Sequence, residues 1–369
     1  MDKIKILMVM GNTGLGGTQA FVLNLLKNID LDRFQIDIAV NNEKEDGIGD
    51  IFRQYGCNIY ILPYFKVYNY FSFVKAWRSF LKQHYYSIIH AHSTNSASIY
   101  LKIAKEYGCV TVAHSHSDGY RGNCYQKEIK KIFAKGVRKY ADYWFACSDK
   151  AAERLFGDEY KSYPRYFEIP NAINAKKYLY DENKAKEIRA KLGVMEDEFL
   201  CGHAGTFSQP KNHAFLIEVF NEVLKRNNRA KLLCCGAGAL MPQIKAKAKE
   251  LGILNRIIFP GVVMNINEYM MAMDVFIFPS LFEGFGIAVL EAEACGLPVV
   301  MSDVIPSVVD MTDLVHRRSL SDSASLWAKT IVGVSSNDRA SYNETIANSK
   351  YNMNTSAQMI SSLYMKMIK

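Results

Sequence analysis

Short apolar runs alternate with amphipathic stretches along most of the chain. The runs are rich in Ile, Val and aromatic residues, which predicts buried strands, and the stretches between them predict crossover helices. In the first half the strand candidates are KILMVM, FQIDIAV, CNIYIL, SIIHAH, VTVAHSH and YWFACS. In the second half they are FLCGHAG, AKLLCCGAG, RIIFPG, VFIFPS and LPVVMS. The alternation indicates α/β structure with parallel sheets covered by helices.

The two halves repeat this plan independently, which predicts two doubly wound domains in a chain of 369 residues. Between them, YFEIPNAINAKKY is followed by the charged helical pattern DENKAKEIRAKLG. We therefore expect an N-terminal domain over residues 1–175 and a C-terminal domain over residues 176–350. A final helix at about 351–369 follows a polar stretch and could pack back on the first domain.

Composition excludes several classes of protein. Hydrophobic residues make up 49% and charged residues 22% of the chain, as in soluble globular proteins. No apolar stretch is long enough to span a bilayer, and MDKIKILMVMGN is interpreted as a first strand, not a signal peptide. The eight scattered cysteines form no CxxC pair, which predicts reduced, buried thiols in a cytoplasmic protein and no structural zinc site.

Positive charge is concentrated in the first half. Residues 51–140 contain fourteen Lys and Arg against three Asp and Glu, whereas the whole chain has a net charge of +8. This imbalance predicts an anionic partner, and no nucleic-acid-binding motif accompanies it. QKEIKKIFAKGVRKY, with the aromatic segment YFKVYNYFSFVKAWRSF upstream, suits an anionic membrane surface as well as an ordinary surface helix. The membrane-surface candidates are Lys127, Lys130, Lys131, Lys135 and Arg138.

Ligands of doubly wound sheets bind beyond the carboxyl ends of the strands, which selects a few loops. GNTGLGGTQ follows the first strand and opens a helix, so its amides could bind an anion. It is neither a P-loop nor a clean GxGxxG, and a tight turn explains it equally well. In GTFSQPKNH, Lys211 precedes a helix that begins around Asn212 and could hold a phosphate, or it could simply be solvated.

The segment EGFGIAVLEAEACGLP carries acids inside an apolar run. Glu283 precedes a Gly-Phe-Gly turn, and a helix follows from about residue 287 to 295. Glu291 and Glu293 lie about 200° apart on that helix, so they cannot share a face. One could be solvated while the other faces a crevice, and helical spacing does not decide which. A carboxylate in such a crevice would accept hydrogen bonds from sugar or ribose hydroxyls.

Two HxH pairs, His90 with His92 and His114 with His116, stand at strand ends. Residues i and i+2 of a strand point the same way, which would suit a metal ion. Both pairs run into loops, however, and no acidic cluster accompanies them. We therefore expect no metal site, and histidines that are structural or contact a sugar.

In this order the loops resemble the retaining glycosyltransferase family 4, of GT-B fold, over nearly the whole chain. The most specific part is FPSLFEGFGIAVLEAEACGLPVVMSD, which is similar to that family's E-x7-E motif. The glycine loop, HSH, ADYWFACS, IPNAIN and AGTFSQPKNH support it. The resemblance implies two Rossmann-like domains facing a central cleft, with a nucleotide-sugar donor held mainly by the second. It implies no cofactor and no metal.

The resemblance also implies roles for individual residues. Glu283 would contact the donor sugar, Lys211 would neutralise the diphosphate leaving group, and Glu291 would bind the ribose hydroxyls. His114 would meet the donor sugar, with His116 a less favoured occupant of that role. The remaining donor-binding positions are Gly16, Gly17, Thr206, Phe285, Gly286 and Ile287.

Thr206 departs from the family pattern, which usually places an arginine there. A lost guanidinium removes a bidentate phosphate contact that one lysine does not replace. Weaker donor binding, an arginine supplied from elsewhere and a non-catalytic descendant all remain open.

The leading hypothesis is a cytoplasmic hexosyltransferase, peripheral on the inner face of the cell membrane. It would transfer a sugar from a UDP-sugar to a lipid-linked saccharide for capsule or exopolysaccharide. The alternative is a nucleotide-sugar-binding protein of the same fold without catalysis. A dinucleotide-dependent oxidoreductase is less favoured because the chain lacks the glycine fingerprint and the acidic ribose partner.

Overall fold

The protein folds into two compact units in a computed structural model. The structure describes residues 3–14, 17–41, 47–94, 96–116, 133–336 and 338–368. The first unit comprises residues 1–172 together with 353–369, and the second comprises residues 173–352.

The first unit contains a parallel sheet of seven strands in the order β3-β2-β1-β4-β5-β6-β7. These strands are β1 (Ile4–Met10), β2 (Phe34–Asn41), β3 (Ile59–Leu62), β4 (Ile88–Ala91), β5 (Val110–Ser115), β6 (Tyr143–Ala146) and β7 (Tyr166–Glu168). The helices between them are α1 (Gly17–Leu26), α2 (Gly49–Gln54), α3 (Tyr70–Gln83), α4 (Ala97–Glu106), α5 (residues 133–140) and α6 (Asp149–Phe156). The strand order reverses between β1 and β4, where ligands of such sheets bind.

The second unit contains a parallel sheet of six strands in the order β10-β9-β8-β11-β12-β13. Its strands are β8 (Leu200–Ala204), β9 (Lys231–Cys235), β10 (Ile257–Gly261), β11 (Val275–Phe278), β12 (Val299–Ser302) and β13 (Val315–Arg318). Its helices are α7 (Glu182–Lys191), α8 (His213–Arg226), α9 (Met241–Glu250), α10 (Ile266–Ala272), α11 (Ile287–Ala294), α12 (Ala324–Gly333) and α13 (Tyr342–Ala347). Two Rossmann-like α/β sheets confirm the predicted fold class.

The two strands that the sequence did not predict are β7 and β13, each at the edge of its sheet. Neither has a continuous apolar run: β7 reads YFE and β13 reads VHRR, and all their residues are only partly buried. An edge strand is paired on one side only, so it needs less apolar sequence than a central strand. Every apolar run that was predicted as a strand forms one.

The last helix of the chain, α14 (Met353–Met367), packs in the first unit. Met353, Ile360 and Tyr364 are fully buried there. The Tyr364 ring lies 5.8 Å from that of Phe34 at the start of β2, and its hydroxyl lies 2.6 Å from Nδ1 of His90 on β4. The C-terminal helix is therefore part of the core of this unit.

The seven cysteines that the structure describes are all buried and free, which confirms the prediction of buried thiols for them. Cys124 lies outside the described residues. In the described part of the chain, no helix combines the length and the apolarity that crossing a bilayer requires.

Arg339 holds two helix ends of the second unit together. Its guanidinium donates hydrogen bonds to the carbonyls of Met270, Met271 and Met273 at the end of α10, and to that of Cys295 at the end of α11. The last carbonyls of a helix have no N–H donor within the helix. The guanidinium of Arg339 supplies donors to several of them at once.

We expect Arg339→Ala to lower the free energy of unfolding by about 3 kcal/mol, because buried carbonyls would lose their donors. Urea denaturation followed by circular dichroism would measure the change. Arg229→Ala is the control: Arg229 forms an exposed ion pair with Asp197, and exposed pairs contribute about 0–1 kcal/mol. Equal effects of the two substitutions would contradict the assigned role of Arg339.

Candidate active site

The turn after β11 presents free backbone amides at the start of α11. Gly286 has φ 96° and ψ 43° and occupies the N-cap position without a side-chain cap. A Cβ there would lie 3.3 Å from Cγ2 of Ile305 in a backbone conformation that L residues rarely adopt. Among the described residues, no acceptor contacts the amides of Phe285, Gly286 and Ile287. Free amides at the positive end of a helix dipole suit an anion.

A lysine and a glutamate from two separate loops meet beside this turn. Lys211 Nζ lies 2.5 Å from Glu283 Oε1, and the two side chains are 22% and 14% exposed. Lys211 ends a short 3-10 helix in the loop after β8, and the next residue, Asn212, adopts the left-handed conformation with φ 53°. The ammonium also lies 4.7 Å from the centre of the Phe278 ring. The structure thus joins two residues that the sequence proposed separately.

The backbones of the two loops are joined as well. The amide of Leu281 donates to the carbonyl of Pro210 at 2.7 Å. Ser302 at the end of β12 donates from its hydroxyl to the carbonyl of Ser280 at 2.6 Å. Because β8, β11 and β12 are neighbours in the sheet, their loops leave from the same edge and fix one another.

The two glutamates of α11 have different surroundings. Glu293 is fully buried, and its Oε1 accepts from the amides of Met311 and Thr312 at 3.0 and 2.8 Å and from the Thr312 hydroxyl at 2.8 Å. Glu291 is partly exposed and accepts from the Tyr178 hydroxyl at 2.5 Å. Glu293 therefore supports a neighbouring turn, and Glu291 is the acid of the pair that a ligand could reach.

Burial shifts the protonation of both acids. It raises the pKa of Glu291 to about 7, against the opposite effect of the hydrogen bond from Tyr178. It raises the pKa of Glu293 to about 8, although the hydrogen bonds from Thr312 and Met311 favour the carboxylate. Near neutral pH both groups are close to their titration points.

Thr206 is exposed in the loop after β8. Within the part of the chain that the structure describes, no arginine forms a hydrogen bond or ion pair with Glu283 or Glu291. The alternatives that Thr206 leaves open stay predictions.

The four histidines of the two HxH pairs form one cluster of rings in the first unit, next to Phe21. His90 and His114 stack at 5.3 Å with nearly parallel rings, at 14°, and His92 Nδ1 lies 2.7 Å from His116 Nε2. Burial lowers the pKa of all four, so the imidazoles are neutral. His114 is fully buried, whereas His116 is partly exposed. The sugar contact of His114 stays a prediction.

Ring nitrogens of His90, His92 and His114 lie within 4.8 Å of one another. The lone pairs of an imidazole lie in the plane of the ring, and the planes of His90 and His114 run nearly parallel. The spacing of these nitrogens is compatible with a shared ligand, so the expected absence of a metal site stays a prediction.

The glycine loop is only partly described, and Gly16 lies outside the described residues. Gly17 opens α1 and has open space around it. Asn12 organises the start of the loop, since its side-chain oxygen accepts from the Gly14 amide at 3.1 Å and from the Gln19 side chain at 2.8 Å. The described part is thus a turn held by side chains, and the phosphate role of the loop stays a prediction.

Of the membrane-surface candidates, Lys127, Lys130 and Lys131 also lie outside the described residues. Lys135 is exposed on α5. Arg138, one turn later, is partly buried and lies 3.4 Å from Glu159. Arg138 is therefore less available to a membrane surface than Lys135.

Comparisons with known proteins decide the family. The sequence profile of Glycosyltransferase Family 4 matches residues 15–177, and that of Glycosyl transferases group 1 matches residues 198–336. A putative glycosyltransferase of Bacillus subtilis, EpsF, is 30% identical over 332 residues, which cover 89% of this chain and 86% of that protein. The chain belongs to glycosyltransferase family 4. It is therefore a transferase enzyme, as its motifs predicted.

Further relatives agree with this family and with its fold. An Escherichia coli UDP-Gal:alpha-D-GlcNAc-diphosphoundecaprenol alpha-1,3-galactosyltransferase is 24% identical over 82% of this chain and 80% of its own length. Among solved structures, Anabaena HepE in complex with UDP has a TM-score of 0.79 at 17% identity and covers 99% of this chain and 100% of its own. A glycosyltransferase from Rickettsia africae also reaches 0.79, at 16% identity, with both chains fully covered. These structures show the GT-B fold.

Sequence reasoning missed Tyr178 and the supporting role of Glu293. Tyr178 lies 113 positions before its partner Glu291, and Glu293 bonds to a loop 18 positions after it. Neither contact can be predicted from residue spacing, because the partners belong to different elements of the chain. Only the folded backbone brings these residues together.

The buried Glu293 predicts a pH dependence of stability. Its folded-state pKa of about 8 lies above the ordinary value of 4.5. Between these values the folded protein holds the proton more tightly than the unfolded chain does. The stabilisation is complete below the ordinary pKa and is lost as the pH rises through 8.

In the parent protein, the free energy of unfolding should fall between pH 6 and pH 9 as Glu293 ionises. We expect this fall to be smaller in Glu293→Gln, by on the order of 2 kcal/mol. Glutamine keeps the accepting oxygen but does not ionise. Urea denaturation at both pH values would measure the effect, with Glu187→Gln on the exposed face of α7 as the control. An unchanged pH dependence in Glu293→Gln would contradict the assignment.

Proposed function

We propose that the protein is a retaining glycosyltransferase that uses a UDP-sugar donor and a lipid-linked saccharide acceptor in the synthesis of a surface polysaccharide. The observation that carries the proposal is the Lys211–Glu283 pair, with Nζ and Oε1 2.5 Å apart, beside the free amides of the turn at Gly286. A cation and amides next to a carboxylate suit the two ends of a sugar diphosphate.

The charges of the reaction fit this arrangement. Breaking the anomeric bond builds positive charge on the sugar and negative charge on the departing nucleoside diphosphate. Lys211 and the amides of residues 285–287 would stabilise the diphosphate, and Glu283 would hold the sugar hydroxyls. Groups that are fixed before the reaction need no reorganisation when the charge develops. We propose that these groups suffice without a metal ion, so that a chelator leaves the rate unchanged.

Glu291 is the proposed ribose ligand. Tyr178 occupies its Oε1 at 2.5 Å, so the second carboxylate oxygen is available for the ribose hydroxyls. In the same proposal the Gly17 turn closes on the diphosphate, and His114 contributes to the sugar pocket. Both roles are proposals, and the structure does not test them.

Relatives support the choice of donor and acceptor. The E. coli relative is named for a UDP-galactose donor and a diphosphoundecaprenol-linked acceptor. HepE has been solved with UDP and with UDP-glucose. Production of capsule or exopolysaccharide is our inference from these similarities, and so is a peripheral location on the cytoplasmic face of the membrane.

We expect Glu283→Gln and Lys211→Ala each to lower kcat about 10²- to 10³-fold, because each removes a group placed where charge develops. The measurement is UDP release from UDP-glucose, UDP-galactose and UDP-N-acetylglucosamine, with a polyprenyl-diphosphate-linked saccharide as acceptor. The exposed pair of Lys247 and Glu218 in the same unit is the matched control. Lys247→Ala and Glu218→Gln should leave kcat within about twofold, as expected for surface residues.

Two results would contradict transfer by this site. Rates in Glu283→Gln and Lys211→Ala that match the parent protein would remove the assigned roles. Tight UDP binding by calorimetry, without turnover of any donor, would favour the non-catalytic alternative. The observation that motivates that alternative is Thr206, and Thr206→Arg would then be expected to tighten UDP binding.

A surface of the first unit supports membrane association. Val67 and Tyr68, in the 3-10 turn before α3, and Phe71, in the first turn of α3, are 67%, 82% and 85% exposed. Lys66 lies 5.9 Å from the Tyr68 ring, and Lys75 is exposed on the same helix. Exposed aromatic side chains flanked by lysines are typical of segments that insert at a bilayer surface and attract anionic lipids. We propose that this aromatic segment contacts the membrane.

We expect the protein to float with phosphatidylglycerol vesicles and to dissociate from them at high salt. The double substitution Tyr68→Ser and Phe71→Ser should lower the membrane partition coefficient about 10-fold or more, because it removes the two aromatic rings that would insert at the bilayer surface. Tyr85→Ser is the control, since Tyr85 is 70% exposed beyond the other end of α3. Binding that is insensitive to salt, or an equal loss in Tyr85→Ser, would contradict the proposal.

A further inference from the structure

A polar cavity lies at the amino edge of the first sheet. Its lining comes from the first halves of β1, β2 and β3 and from the segments that precede β3 and β4. The glycine loop and the HxH pairs stand at the other edge, where the strands end and where doubly wound sheets bind their ligands. The volume of the cavity is about 480 Å³, and small-molecule sites measure about 300–1,000 Å³. The cavity is thus large enough for a small molecule and separate from the carboxyl edge.

Asp37 holds the polar side chains of this cavity in place. It is 5% exposed, and its Oδ1 accepts from Nε2 of Gln35 at 3.1 Å and from the backbone amide and Nδ2 of Asn58 at 2.9 and 3.0 Å. Its Oδ2 accepts from the Tyr86 hydroxyl at 2.9 Å. A carboxylate only accepts hydrogen bonds, so both side-chain amides turn their NH₂ groups towards it. The two amides are therefore oriented before any ligand binds.

The amides of the lining keep free acceptors. Among the described residues, no donor contacts the side-chain oxygens of Gln35, Asn58 and Gln83. Asn58 and Gln83 are exposed and Gln35 is partly exposed, so a ligand can reach them. Sugar hydroxyls both donate and accept, and they can replace the water that otherwise solvates such oxygens.

Aromatic rings accompany the amides in the lining. The rings of Tyr60 and His84 lie 4.7 Å apart, and Phe80 packs on them at 5.0 and 4.7 Å. Tyr85 also lines the cavity and is 70% exposed. A pyranose ring carries hydroxyls at its edge and C–H bonds on its faces. Oriented amides beside an exposed aromatic ring therefore match both kinds of surface that a sugar presents.

The charge of the lining disfavours ionic ligands. Among the described residues of the lining, one cation, Lys5, is balanced by one carboxylate, Asp37. An anion would be repelled by the carboxylate, and a cation would be repelled by the ammonium. The carboxylate also accepts four hydrogen bonds already, so it has little capacity left for a bound amine. A neutral polar ligand suits this balance best.

We propose that the cavity binds a short neutral saccharide, with Gln35, Asn58 and Gln83 as hydrogen-bond partners and Tyr85 as the stacking ring. This binding does not require the transfer reaction proposed above. It would give the first unit a saccharide site at the edge of the sheet opposite its glycine loop.

Saturation-transfer difference NMR of the full chain, without a sugar donor, tests the class of ligand. The neutral probes are lactose, maltotriose and N,N′-diacetylchitobiose. The charged probes are chitobiose with free amines and digalacturonate. We expect saturable binding of at least one neutral saccharide and weaker binding of both charged ones. No saturable binding of any neutral probe would overturn the proposal, and so would tighter binding of a charged probe.

Tyr85→Ala should weaken binding of the neutral saccharide about 10-fold, because it removes the stacking ring. Tyr64→Ala is the matched control: Tyr64 is 52% exposed in the same unit and follows the carboxyl end of β3, outside the cavity. Both side chains are largely solvent-exposed, so neither substitution should disturb the fold. Thermal denaturation of each variant would verify that it is folded.

Two glycines provide a second matched pair. Gly56 lines the cavity, whereas Gly108 lies outside it after α4. They have φ 79° and 77°, and a Cβ added at either would meet no heavy atom within 4 Å. Asparagine tolerates this left-handed conformation. Gly56→Asn should weaken binding about 10-fold or more, because the added side chain competes with the saccharide for space. Gly108→Asn should leave it unchanged.

A selective loss of binding in either cavity variant, relative to its control, supports the site. If Tyr85→Ala binds the saccharide as Tyr64→Ala does, and Gly56→Asn binds it as Gly108→Asn does, the saccharide binds elsewhere and the proposal is overturned.

Discussion

The ion pair between Lys211 and Glu283 depends on the parallel order of the second sheet. Strands β8 and β11 are neighbours there although many residues separate them in the chain. Their carboxyl ends bring the two loops together, and the contact from Leu281 to Pro210 fixes their spacing. The lysine, the glutamate and the helix amides are therefore organised by the sheet before any ligand binds. Preorganised charge of this kind is what a reaction with a departing diphosphate requires.

Much of the fold could be predicted because central parallel strands are buried on both faces and so read as apolar runs. The edge strands β7 and β13 escaped prediction because pairing on one side leaves them partly exposed and polar. The candidate site residues were proposed from the family resemblance and their roles stay predictions, whereas the contacts among them could not be read from the sequence. Helical spacing separates Glu291 from Glu293 without saying which one is enclosed. The answer depends on Tyr178 and Thr312, which are distant in sequence and close only after folding.

The two glutamates of α11 differ in burial and in hydrogen-bond partners. One oxygen of Glu293 accepts three hydrogen bonds from the turn at Met311 and Thr312, and these bonds stabilise the turn. Glu291 receives a single hydroxyl from Tyr178 and stays partly exposed. Two glutamates on one short helix thus differ in role: Glu293 is structural, and Glu291 is the one that a ligand could reach. The first unit instead concentrates neutral histidines inside and positive charge with aromatic residues outside.

A crystal structure of the protein with UDP tests the central claim most directly. We expect the diphosphate within hydrogen-bond distance of Lys211 Nζ and of the amides of residues 285–287. We also expect the ribose hydroxyls on Glu291, with Tyr178 still bonded to that carboxylate. Binding of UDP elsewhere in the chain, or a ribose that contacts neither Glu291 nor its surroundings, would contradict these roles.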